Sequence, residues 1–333
     1  MENPTAGPDW DAVDEASYES FPASDPPGWG SSHAAPSFAT CGLASEVEPM
    51  PVVLALTDLS AGAHLALRHA DLEAQARAGK LVVCHVRSPV RHALEGMLGE
   101  GDGASAASAY ASRALVEHVA HAIGRPPAHV ETEVAIGWDA TTIVSRAEAH
   151  GAELIVIAAP DREGFAPSVA QRVVRRARCS VLVVRPPHGV NILVAMDLSD
   201  AAPATIAAAK REATRLESPV TAVHCVDDDE LARIAMLASP PPSTVLDATR
   251  RIAALARAAK LGAEVSVICG APADAIVNAA RGIGADLVIV APHPHTRLER
   301  MLHRSVAETV VRRAPCSVLV VRSAAPSSPP DPA

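Results

Sequence analysis

The run from Val52 to Ser60 returns, nearly letter for letter, at Asn191 to Ser199, and both copies end in Asp-Leu-Ser, at Asp58 and Asp197. The agreement persists for more than a hundred residues. His85-Val86 is answered by His224-Cys225-Val226, Gly137 by Gly270, and Ala152 to Ile157 by Ala285 to Val290. Each copy closes on Cys-Ser-Val-Leu-Val-Val-Arg, at Cys179 to Arg185 and Cys316 to Arg322. An internal duplication of this length dictates two like domains in tandem before any propensity is weighed.

Within each copy, short continuous apolar runs alternate with helical patterns. Strands are expected at 52–56, 81–86, 130–135, 153–158 and 180–184, with helices at about 61–78, 104–123, 139–149 and 168–177. Leu65, Leu72 and the alanines between them should lie on the buried face of the first helix. The second copy repeats the order from 191 to 321. Unbroken apolar strands separated by helices are the mark of a parallel sheet covered on both faces, so the fold class is α/β, doubly wound, twice over. The expected layout is a tail over 1–50, domains over 51–187 and 190–323, each with a mainly parallel five-stranded sheet, and a disordered C-terminal tail over 324–333.

Composition narrows the function. Hydrophobic residues make up 49% of the chain but aromatic ones only 2%, so the cores must be aliphatic. No apolar run approaches the roughly 20 residues that span a bilayer, and the acidic amino terminus lacks a basic-then-apolar signal pattern, which predicts a cytoplasmic protein with no membrane contact. The six cysteines form no CxxC pair, against structural zinc or a disulfide framework. Residues 1–50 hold nine acids and no Lys or Arg, while acids and bases balance over the remainder. A neutral body beside an acidic tail argues against nucleic-acid binding.

That tail also holds five of the eight aromatic residues. It reads as largely disordered. Around Tyr18 and Phe21, an acidic helical turn stopped by Pro22 offers a docking peptide for an unknown protein partner, with a plain solubilising tail as the alternative.

The stretch from 51 to 322 resembles a tandem universal stress protein. The resemblance rests on the strand-one Asp58 and Asp197, the strand-two His85 and His224, the turns Gly137 to Ile143 and Gly270 to Ile276, the run Leu298 to Leu302 leading into Ser305 to Glu308, and the closing strands. It implies a Rossmann-like fold, and a pair of domains whose final strands, 180–184 and 317–321, pair across a two-fold axis. Here that axis would lie inside one chain, as an internal pseudo-dimer that can in turn form a homodimer.

ATP-binding members of that family are similar to one another in a glycine-rich loop, G-x2-G-x9-G-[ST], between strand four and the next helix. Its glycines let backbone N–H groups approach phosphate without a Cβ in the way. In the second copy the spacing survives but the glycine positions are Ala291, Pro294 and Arg304, and only Ser305 matches. Pro294 removes a donor and Arg304 fills the space. In the first copy the loop is five residues shorter, Pro167 stands at the last glycine position and Ser168 follows as a helix cap.

The resemblance also implies that the strand-one Asp contacts adenosine; the simpler role for Asp58 and Asp197 is to cap the next helix. A surviving ATP or AMP site is therefore sought in the second copy at Asp197, Val226, Arg304 and Ser305, and more weakly in the first at Asp58 and Ser168. His85 and His224 read as structural hydrogen-bonding residues rather than catalytic ones. His293, His295 and His303 lack a carboxylate or thiolate at ligand spacing, so no metal site is expected. No GxSxG, Walker, GxGxxG or HExxH pattern is present at the right place. The expected function is a non-enzymatic stress-response adaptor with no cofactor, with an ATP/AMP sensor using the second copy as the alternative.

Overall fold

The computed structural model describes residues 50–98, 103–124, 130–160, 167–196, 202–226, 243–258, 260–292 and 306–322. The first copy runs β1 (Val52–Leu56), α1 (Ala63–Ala76), β2 (Lys80–Arg87), α2 (Pro89–Leu98), α3 (Gly103–Ile123), β3 (Val130–Ile136), α4 (Asp139–Ala149), β4 (Ala152–Ala158), α5 (Val169–Arg176) and β5 (Ser180–Val184). The second runs β6 (Asn191–Ala195), α6 (Ala202–Leu216), β7 (Val220–Val226), α7 (Ser243–Ala258), β8 (Glu264–Cys269), α8 (Pro272–Gly282), β9 (Ala285–Val290), α9 (Val306–Arg313) and β10 (Ser317–Val320).

Each copy supplies five parallel strands, and the two sets fuse into one ten-stranded sheet of order β3-β2-β1-β4-β5-β10-β9-β6-β7-β8. The seam is antiparallel, with Leu182 facing Leu319, Val181 facing Val320 and Val183 facing Val318. Polar clasps repeat about this axis. The Arg185 N–H donates to Ser317 Oγ at 3.1 Å and the Arg322 N–H to Ser180 Oγ at 3.1 Å. The two guanidinium groups reach across in the same way, Arg185 to the Val311 carbonyl at 2.6 Å and Arg322 to the Val174 carbonyl at 2.7 Å.

The strand alternation sorts side chains into two core layers. Leu54 and Leu56 join Ile143, Val173, Ile276 and Val310 under α4, α5, α8 and α9. Val53 and Ala55 join Leu67, Leu115, Val119, Ile206 and Ile252 under α1, α3, α6 and α7. Both layers run through both copies, so no solvent-filled division separates them.

Two local expectations are corrected. Leu72 is 50% exposed, whereas the alanines are buried as expected: α1 buries Ala63, Ala66, Leu67, Ala70 and Ala74, small residues that let the helix sit close to the sheet, together with Asp71 and Glu73. Leu72 lies five residues past Leu67, about 140° round the helix. An unexpected helix, α2, begins at Pro89, where the missing N–H costs nothing and φ is preset. The paired glycines of the repeat also find a reason: Gly270 has φ +122°, and at Gly137 an added Cβ would run into Thr142 Oγ1. Among the described residues no helix is long and apolar enough to cross a membrane.

Candidate functional site

In each copy β1 or its counterpart β6 sits between two parallel neighbours on opposite sides, which makes its carboxyl end the point where chain connections diverge. Doubly wound sheets place ligands there. In the first copy β1 ends in the turn Thr57-Asp58-Leu59-Ser60. The Thr57 N–H extends the ladder to the Cys84 carbonyl at 3.1 Å, and Thr57 Oγ1 accepts the Leu59 N–H at 3.0 Å. Leu59 is thereby held at φ +66°, a left-handed conformation unusual for a branched residue.

Asp58 Oδ1 accepts the Ser60 N–H at 2.9 Å. The carboxylate thus ties down its own turn; α1 starts later, with Gly62 at its N-cap position and no side-chain cap, so Asp58 does not cap the helix. Burial pushes the Asp58 carboxyl up, but the Ser60 hydroxyl and N–H, its own N–H and the nearby His118 outweigh burial and hold it below the usual carboxylate range.

The turn forms one wall of a cleft of about 310 Å³. Leu56, Val86, Ile143 and Ile157 make its apolar floor, and Thr57, Asp58, Asp139 and Ser168 supply polar groups. Among the described residues that line it there are two carboxylates and no Lys or Arg. The size is at the small end of ligand pockets.

The amino end of α5 closes the opposite wall. Ser168 and Gln171 form a reciprocal capping box: the Gln171 N–H donates to Ser168 Oγ at 3.2 Å, and the Ser168 N–H donates to Gln171 Oε1 at 2.9 Å. Two donors that a phosphate would want are already engaged. Arg172, one turn on, bonds the Pro167 carbonyl at 2.7 Å and reaches Asp139 at 3.6 Å, so it offsets one of the two cleft carboxylates without itself lining the cleft.

Of the residues singled out in the sequence, Asp58 and Ser168 come together on this cleft. Val226 is buried at the end of β7. Asp197, Arg304, Ser305, the histidines at 293, 295 and 303, and Tyr18 and Phe21 of the tail lie outside the described residues. His85 and His224 play matched parts: each Nδ1 bonds the carbonyl just past the first strand of its copy, Thr57 at 2.8 Å and Met196 at 2.7 Å. Asp139 lines the cleft although only its place in the turn after Gly137 drew notice.

Comparison with known proteins agrees with this architecture. The model of the Universal stress protein family matches residues 50–185 and again 190–322. A universal stress protein of Mycobacterium tuberculosis is 28% identical over 214 residues, which cover 58% of this chain and 69% of that one. Among solved structures, a universal stress protein from Archaeoglobus fulgidus superposes with a TM-score of 0.62 at 18% identity, over 81% of this chain and 96% of that one. A protein of unknown function from Pseudomonas aeruginosa does so with a TM-score of 0.55 at 19% identity, over 83% and 93%. At those identities the superpositions speak to the fold alone.

Proposed function

The chain belongs to the universal stress protein family, as two of its domains fused in tandem, and from that we propose that it serves the stress response in the cytoplasm as a non-enzymatic binding module that has given up ATP. The observation that carries this reading is the amino end of α5, where the Ser168 and Gln171 capping box occupies donors of a would-be phosphate cradle, beside a cleft lined by Asp58 and Asp139. A triphosphate entering there would meet the Asp58 carboxylate, with Asp139 already paired to Arg172, and no Lys or Arg among the described lining residues. Desolvating it without compensation would cost more than the apolar floor returns. The cleft suits a compact, uncharged or cationic ligand of nucleoside size.

In the second copy the replacement of the glycine positions by Ala291, Pro294 and Arg304 supports the same loss. The acidic tail, with Tyr18 and Phe21 as contacts, supplies a partner-binding element.

Titration calorimetry of the full-length protein with ATP and, separately, adenosine tests the reading. No saturation by ATP at micromolar concentration is expected, whereas tight ATP binding overturns it. If such binding vanished in Asp197→Ala, the nucleotide would belong to the second copy, held by Asp197, Val226, Arg304 and Ser305, and the protein would be an ATP/AMP sensor. For the tail, a pull-down with residues 1–50 should lose its specific partner when Tyr18 and Phe21 are both alanine.

A further inference from the structure

Directly behind the Asp58 turn, on the face of the sheet covered by α1 and α3, three histidines cluster. His64 comes from α1; His118 and His121, one turn apart, come from α3. The His64 ring lies 4.5 Å from that of His118 and 5.2 Å from that of His121, centroid to centroid. His118 Nε2 is 3.0 Å from Thr57 Oγ1, and His118 Nδ1 is 3.3 Å from His64 Nε2. A continuous hydrogen-bonded chain therefore runs from His64 through His118 to the hydroxyl that holds Leu59 in its left-handed conformation.

The second copy serves as an internal control. By the offsets that relate Asp58 to Asp197 and Gly137 to Gly270, Thr57 becomes Met196, His64 becomes Pro203 and His118 becomes Arg251. The carbonyl brace from His85 survives there as His224. The strand-two histidine is thus common to both copies, while the second copy folds in the same way without the histidine cluster. The cluster belongs to the first copy, whose Asp58 turn borders the described cleft.

Proton counting shows what the chain is sensitive to. With both rings neutral, each N···O and N···N contact shares one hydrogen, and Thr57 Oγ1 still accepts from Leu59. A proton added to His118 makes both its nitrogens donors, and its Nε2–H still donates to Thr57 Oγ1, so this first step leaves the turn tied. A second, on His64, sets N–H against N–H at a separation of 3.3 Å, and that contact must open. The titratable groups acting on His118 are His64 from α1, His121 on α3, His85 from β2 and Asp58 from the turn, while Arg68 of α1 donates to the Ala122 carbonyl of α3. Asp58 is the one carboxylate in that set. We propose that protonation of both His64 and His118 forces their rings apart, draws His118 off Thr57 and re-aims the Asp58 turn, so that the mouth of the first-copy cleft changes shape with acid.

Burial, and then the neighbouring His64, hold His118 below the ordinary imidazole range, with Asp58 pulling the other way and His121 and His85 adding to the depression. For a group depressed in this way the native arrangement is fully supported above about pH 6.5 and loses support as the pH falls through the lowered value. That a ligand feels the change rests on reading the cleft as the ligand site; the coupling of histidines to turn does not.

The test uses the ligand-free, full-length protein, so it reports on the turn even if the cleft binds neither ATP nor adenosine. Imidazole signals of His118 and His64, amide signals of Thr57 and Leu59, and methyl signals of Ile143 and Ile157 would be followed by NMR from about pH 7.5 to about pH 5. In the wild type the amides of Thr57 and Leu59 and the cleft methyls should move together, with the second proton taken up by the imidazole pair. In Thr57→Val the imidazoles still titrate, but the cleft methyls should stay fixed. His118→Gln keeps a donor to Thr57 Oγ1 and should fix the turn at every pH. Cleft methyls that stay still once both imidazoles are protonated in the wild type, a pair that never takes its second proton in this range, or methyls that move equally in Thr57→Val overturn the proposal.

Discussion

Glu73 on α1 and Glu212 on α6 stand 139 residues apart, at the same position of the two copies, and a single nitrogen of Arg215 reaches both, at 3.1 and 2.7 Å. They are 2% and 1% exposed. Arg77 bonds Glu73 at 3.0 Å and Arg211 approaches Glu212 at 3.6 Å. One oxygen of each carboxylate, Oε1, is buried without a hydrogen bond; the 3.1 Å approach of Arg215 to Glu73 Oε1 is an ion pair without hydrogen-bond alignment. Two like charges thus meet where the copies join.

Burial first, and then the charge of Glu73, raise the Glu212 carboxyl, against the pull of Arg215. The folded protein then keeps a proton that the unfolded chain releases above about pH 4.3. Stability from this site is complete below that pH and is lost as the pH rises through the raised value. Glu212→Gln should flatten the pH dependence of the urea midpoint and leave the protein at pH 8 as stable as the wild type or more so, by up to roughly 1–4 kcal/mol.

The clasp between α5 and α9 exists on one side of the axis. Arg175 grips Glu308 through two hydrogen bonds of 2.9 and 2.6 Å, but Gln171 stands where Glu308 would have its counterpart, and Arg312 Nε is buried without a partner. Gln171→Glu keeps the capping box with Ser168 and offers Arg312 a carboxylate. Denaturation in urea should show a gain of roughly 0.5–1 kcal/mol.

Ser168 is the cap of α5. Ser168→Ala should cost about 1 kcal/mol, read as a lower urea midpoint. It should not confer ATP binding, because the carboxylates of Asp58 and Asp139 remain.

Burial pushes the Cys84 thiol up to about 12 and those of Cys179 and Cys316 to about 11. At pH 8 their thiolate fractions are about one in a thousand or less. Cys269 is exposed. Mass spectrometry after brief treatment of the native protein with iodoacetamide should find Cys269 alkylated well before those three.

Elements whose pattern is local were legible in the sequence. The run Val52 to Leu56 is apolar throughout because both faces of β1 are covered, and the structure places β1 there. The cap at Ser168 announced itself beside Pro167. The α2 helix did not, since its residues Val90, Leu94 and Met97 face solvent and signal no buried stripe. The cleft is legible in part: Asp58 and Ser168, singled out in the sequence, both line it, while Asp139 and the apolar floor come from elements far apart in the chain. His64 and His118 are 54 residues apart and have no counterparts in the repeat, so neither periodicity nor duplication could have joined them. Glu73 and Glu212 do share the repeat offset, yet a carboxylate on a helix reads as solvated until a second helix is laid against it.

Joining β5 to β10 within one polypeptide has a consequence for what can change. In an assembly of two identical chains every substitution appears on both sides of the axis, and a residue near that axis meets its own copy. Here the two sides carry separate codons. Gln171 can differ from Glu308, Thr57 from Met196 and His118 from Arg251 without altering the opposite half, so the molecule can keep the scaffold of a symmetric pair while specialising one half.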